Sequence, residues 1–278
     1  MKTGKIAIKL ILYLFIFLVC FARSSYCDYA EPGGSADDFV ISDLSDDSSL
    51  PSADIILEHA RAHIIPEPML ITGELVSKGK LSRVTEDLKI KVEARQDGDN
   101  AVICYTINDR FGGHLESLEI VRNRDKLLKT SYFTGPEMKE SELPEITSHI
   151  RKTDLTWNDL SLNFLWWRTV KPPELDRFIG RRCYKLTMAP DMSDKHESLE
   201  TSVTVWVDTE MCGFLAADFF NSDGVRTRRM RVRSLKKIND LWMVKDMSFT
   251  SFPLKYRTVI KIDDMELLPT GDKNSGDD

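Results

Sequence analysis

His59 and His63 stand four residues apart, a spacing that puts two imidazoles on one face of a helix. With Ala60, Arg61 and Ala62 between them and no third ligand nearby, they read as ordinary helix-face histidines rather than metal ligands. Cys104, Cys183 and Cys212 lie in strand-like runs and could form one disulfide, leaving an odd thiol. No C-x-x-C, G-x-S-x-G or H-E-x-x-H occurs, and no two of the many carboxylates stand out as an acid–base pair. The sequence therefore predicts no catalysis, no metal and no cofactor. "RTRRMRVRSLKK" alternates Arg229, Arg231 and Arg233 against Met230 and Val232. That reads as a solvated outer face, with docking to lipid phosphates or an acidic partner as the alternative.

The unusual chemistry is apolar. "DLTWNDLSLNFLWW" (154–167) holds three tryptophans and a phenylalanine in fourteen residues. Thr156 and Asp159 form a capping-box-like pair at a helix start, and Leu160 and Phe164 share a face at i, i+4. Trp166 and Trp167 are adjacent, so on a helix they would point about 100° apart. The element is apolar over a wider arc than one core stripe. It is either a buried plug or a lid whose inner face touches an apolar ligand.

Elements to position it can be read by period. "SADIILEHARAHIIP" predicts an amphipathic helix from Ala53 to Ile64, with Ile56, Ala60 and Ile64 on one face, Ile55 and Ala62 alongside, and Pro66 as the stop. The period then becomes two. In "LKIKVEAR", Leu88, Ile90, Val92 and Ala94 face one way and Lys89, Lys91, Glu93 and Arg95 the other. Similar runs continue to Leu268, with turn signals at Asn221–Gly224 and Asn239-Asp240. The reading is about ten or eleven antiparallel strands in series. Such a sheet must cover its apolar face, by full closure or by curling partway beneath helices.

Lys2, Lys5 and Lys9 precede an apolar run from Leu10 to Ala22, too short to span a bilayer. Residues 1–24 thus read as a cleavable signal peptide, cut after Ser24 or near Cys27, with a retained membrane anchor as the alternative. Val19 and Tyr26 precede Cys20 and Cys27, a poor fit to lipidation. Losing Lys2, Lys5, Lys9 and Arg23 takes the net charge from −6 to −10, which argues against nucleic acid as a partner. Residues 25–51, acidic and rich in Ser, Gly and Pro, read as a flexible leader, residues 52–268 as one domain and 269–278 as a frayed tail.

"TDLTWNDLSLNFLWW", "IGRRCYKLTM", "VTVWVD", "KKINDLWMVKDM" and "YRTVIKID" together resemble the LolA-like outer-membrane lipoprotein-sorting proteins of the bacterial periplasm, over roughly Ser52 to Leu268. The resemblance implies a half-closed antiparallel β-barrel with helices as a lid over a hydrophobic cavity. It implies a periplasmic monomer that carries acylated lipoproteins or lipids from an inner-membrane donor to an outer-membrane acceptor. Trp157, Leu160, Phe164, Leu165, Trp166, Trp167, Ile90 and Val92 are then the expected lid and lipid-contacting residues. A sensor of the same fold that detects lipoproteins and signals through a protein partner is the other reading. The acidic leader departs from the family pattern.

Overall fold

The computed structural model describes residues 20–21, 50–62, 68–79, 83–98, 100–123, 127–145, 147–190, 200–238, 241–253 and 256–269. Apart from 20–21 and 50–51, the expected signal peptide and acidic leader lie outside these residues, as do His63, Ile64, Asn239-Asp240 and all but the first residue of the tail. Helix α1 spans Ala53–Ala62, and α2 spans Trp157–Ser161. The strands are β1 Cys20–Phe21, β2 Met69–Lys78, β3 Val84–Asp97, β4 Asn100–Asp109, β5 His114–Arg122, β6 Leu127–Thr134, β7 Lys139–Ser141, β8 Arg168–Thr169, β9 Glu174–Phe178, β10 Arg181–Ala189, β11 Ser202–Asp208, β12 Phe214–Phe220, β13 Arg226–Ile238, β14 Leu241–Ser251 and β15 Tyr256–Leu267. Among the described residues no helix is long and apolar enough to cross a membrane.

All strands belong to one antiparallel sheet, open at both ends, in the order β7-β6-β5-β4-β3-β2-β15-β14-β13-β12-β11-β10-β8. β9 lies beside β10, and β1 beside β14 at Trp242 and Met243. Eleven strands have seven residues or more, matching the expected series of ten or eleven. The four that period did not reveal, β1, β7, β8 and β9, are two to five residues long, too short to display an alternation.

The alternation dictates which face is covered. Leu88, Ile90, Val92 and Ala94 are all buried, whereas Lys89 on the outer face reaches Glu74 at 2.7 Å. Met69, Ile71 and Leu75 of β2 join the same core, as do Ile103, Tyr105 and Ile107 of β4 and Leu118 and Ile120 of β5. Gly73 interrupts the β2 series for a steric reason: a Cβ there would strike the carbonyl of Lys261 on the neighbouring β15. On this face α1 packs Ile56, Leu57 and Ala60. Ile55, expected alongside the buried stripe, is exposed instead, and Leu57 takes its place. Leu57, one residue after Ile56 and three before Ala60, falls on the buried stripe, and Ile55 falls off its edge.

The turn Asn221–Gly224 is built as its residues require. The Asn221 side chain accepts from the backbone N–H groups of Asp223 and Val225, and Gly224 adopts a φ of 70°.

Candidate functional site

The stretch 154–167 lies on the inner face of the sheet, and its geometry starts at a cap. The Thr156 hydroxyl accepts from the Asp159 N–H, and the Asp159 carboxylate accepts from the Thr156 N–H, so the expected capping box forms. The helix it opens is shorter than expected. α2 stops at Ser161, Leu162 takes the left-handed conformation at φ 52°, and a 3₁₀ turn follows at Asn163–Trp166. Leu160 and Phe164 therefore do not share one helical face. The wide apolar arc is the physical reason. A straight helix would leave part of it in water, whereas the break at Leu162 re-aims the second half toward the sheet.

The break buries almost the whole set. Trp157, Leu160, Phe164, Leu165 and Trp167 are buried, and Trp166 is half-buried. Trp157 meets Tyr132 edge-on with ring centroids 5.8 Å apart. Phe164 contacts Phe219 at 5.2 Å and Phe214 at 5.8 Å. Ile90 and Val92 are buried on β3 in the same core cluster. The expected lid and lipid-contacting residues are thus brought together, and in this arrangement their own side chains occupy the inner face.

Polar contacts also hold the aromatic element down. Tyr105 donates its hydroxyl to the Leu160 carbonyl at 2.8 Å, and Arg61 donates from Nε to the Leu165 carbonyl at 2.8 Å. Burial pushes the Tyr105 phenol well above its ordinary range, so it stays a donor. Arg228, on the inner side of β13, reaches Asp159 at 2.6 Å and Glu200 at 3.0 Å. Burial opposes the Arg228 charge, yet these two carboxylates raise its pKa above the usual value.

Arg122 behaves differently. It is 1% exposed, and its guanidinium lies 3.9 Å from the Trp166 ring centroid. Arg61 stands 5.7 Å from the same ring. None of the three Arg122 guanidinium nitrogens has a hydrogen-bond partner, and burial pulls the group down to about 10. Sequence reasoning missed Arg122, Tyr105 and Arg228. The signal for Arg122 was present, since period two places it on the side of Leu118 and Ile120.

A groove of about 500 Å³ opens where the chain enters the aromatic element. Its charged lining is mostly basic, from Lys78, Arg83, His149 and Lys152 beside Tyr256, with Asp154 as its carboxylate. Burial raises the Asp154 pKa, and the Arg228 charge opposes it only in part.

The cysteine expectation needs correction. Cys104 and Cys183 are free, whereas Cys212 is disulfide-bonded, so its bridge does not pair it with either of them. Cys104 faces outward from β4, eight ladders from β10, where Cys183 lies buried with its thiol directed at the Arg181 carbonyl. Burial pushes Cys183 up to about 11. Of the outer-face arginines, Arg229 pairs with Asp218, while Arg233 is exposed. His59 lies on α1, His63 is outside the described residues, and no cluster of three metal-ligating side chains occurs among the described residues.

A family model described as "-like: Uncharacterized protein" matches residues 136–273, the aromatic element and the strands after it. No curated protein matches the sequence. Solved structures do match in fold. A domain described as an outer membrane lipoprotein-sorting protein from Vibrio parahaemolyticus superposes with a TM-score of 0.62 at 16% identity, over 78% of this chain and 94% of that one. A DUF1329 family protein from Desulfovibrio piger gives 0.62 at 13%, over 80% and 94%. A LolA superfamily protein from Nitrosomonas europaea gives 0.55 at 14%, over 81% and 97%. The chain thus has the LolA-like fold, an open antiparallel sheet with few helices.

Proposed function

We propose that the protein is a periplasmic carrier that takes the acyl chains of lipoproteins or lipids onto the inner face of its sheet and sorts them toward the outer membrane. The observation that carries this reading is the aromatic element: it lays Leu160, Phe164, Leu165 and Trp167 into the apolar core of the inner face and is tied to the sheet by polar contacts such as Tyr105 to Leu160 and Arg228 to Asp159. An acyl chain can replace such side chains on the sheet without any change in the chemistry of the surface. Each methylene moved from water to that surface gains about 0.8 kcal/mol. A bilayer offers the same gain, so exchange with membranes is nearly neutral and direction must come from donor and acceptor proteins. A solved structure of the same fold described as a lipoprotein-sorting domain, and another described as a LolA superfamily protein, support the reading.

Protein isolated from the periplasm should carry lipid detectable by mass spectrometry. Loaded with an acylated lipoprotein, it should deliver that cargo to outer-membrane vesicles. Protein that is lipid-free as isolated and leaves a fluorescent fatty acid in water, with tryptophan emission unchanged, would overturn the proposal.

A further inference from the structure

Two arginines point into the covered face of the sheet, and they are treated in opposite ways. Arg228 is matched by Asp159 and Glu200. Arg122 is the more deeply buried of the two, and among the described residues no carboxylate reaches it. A buried cation left without a counter-charge costs several kcal/mol. Stacking on Trp166 offsets only part of that. The remainder is a standing cost that a structural residue would not carry. Methionine would fill the same space and stack on the same ring without the charge.

The position says what the charge is for. Arg122 is the last residue of β5, at the rim of the sheet, opposite Ala101 of β4 and Leu127 of β6. From it an apolar track runs inward along the β4–β5 ladder, through Ile120 and Ile103 to Leu118 and Tyr105. A cation at the end of an apolar track is complementary to one class of molecule, an amphiphile with a single anionic headgroup. Arg61, within reach of the same indole, adds to the positive potential there.

Resting on the acyl-carrier reading above, we propose that Arg122, backed by Trp166, binds the anionic headgroup of the cargo, a carboxylate or phosphate, while the chain lies along Ile120, Ile103 and Leu118. The guanidinium offers a planar fork matched to either oxyanion. Hydrogen bonds to a charged partner are worth about 1.5–3 kcal/mol, which corresponds to roughly ten- to hundredfold in affinity.

The test uses the full chain and an uncharged fluorescent probe, cis-parinaric acid methyl ester, displaced by hexadecanol, hexadecanoate or hexadecyl phosphate. Wild-type protein should bind the ester, and at least one anionic competitor should displace it about tenfold or more better than hexadecanol. The stronger anion identifies the headgroup. In Arg122→Met ester binding should persist and the three competitors should become equivalent, while Arg122→Lys should keep part of the preference. Arg122→Met should also melt at a higher temperature than wild type when both are free of ligand, because an unmatched charge has been removed. Equal displacement by all three competitors in wild type would overturn the headgroup site and leave the carrier reading intact. Absence of ester binding would overturn both. An Arg122→Met chain that melts lower, or does not fold, would show that the guanidinium serves the fold and would overturn the inference by a separate route.

Discussion

Asp154 and Arg228 show how single charges are managed at the aromatic element. Asp154 sits in the basic groove with its pKa raised by burial, whereas its unfolded value is near 3.8. For an acid with a raised folded pKa, folding favours the protonated form. That stability is fully present below the unfolded value and is lost as pH rises through the folded one. Asp154→Asn should therefore melt higher than wild type at pH 7, and the difference should shrink as the pH falls through the raised folded pKa and be lost completely by the unfolded value of 3.8. Melting curves across that range check it. A difference that is constant with pH would mean that the carboxylate is not strained by burial. Much at this scale was hidden in the sequence. Thr156 with Asp159 announced a cap because the cap is local. The Arg228 pairing with Asp159 and Glu200 joins residues distant in the chain, and no spacing rule reaches that far.

At the scale of elements, the β-strands were legible wherever one face is wet. The Leu88–Ala94 alternation appears in the structure residue for residue. β11 and β12, read in the sequence as further runs of the same series, are buried almost throughout and show no such alternation of burial. The left-handed residue Leu162 was not legible, since nothing in a leucine side chain favours a positive φ. Packing of Phe164 against Phe214 and Phe219 imposes it from outside the element. The aromatic unit should accordingly depend on packing more than on its cap. Thr156→Ala should cost about 1 kcal/mol, and Phe164→Ala about 3–5 kcal/mol. Denaturant midpoints measure both, and a costlier cap than core residue would reverse this account of what holds the unit down.

The whole sheet is open, so it must protect two edges. β7 is three residues long and exposes Lys139 and Glu140, and β8 has two residues, Arg168 and Thr169. Short charged edges discourage pairing with a second copy. Replacing Lys139 and Glu140 with valine should promote self-association, visible by sedimentation, while leaving the melting temperature nearly unchanged. A variant that stays monomeric would place the protection elsewhere.

The strand order carries a temporal consequence as well. β2 through β7 form one meander of sequential neighbours, and β10 through β15 form another. The two meet along the β2–β15 ladder, where Lys78 lies opposite Arg257 and Met69 opposite Leu267. Partners so distant along the chain pair late, because closing so long a loop is entropically costly. A ribosome or translocation pore releasing this chain from its N-terminus would hold β2 with a bare edge until the last strand emerged. During that interval the first half is a half-finished surface waiting for its seam, and a holding chaperone would find its binding site along β2.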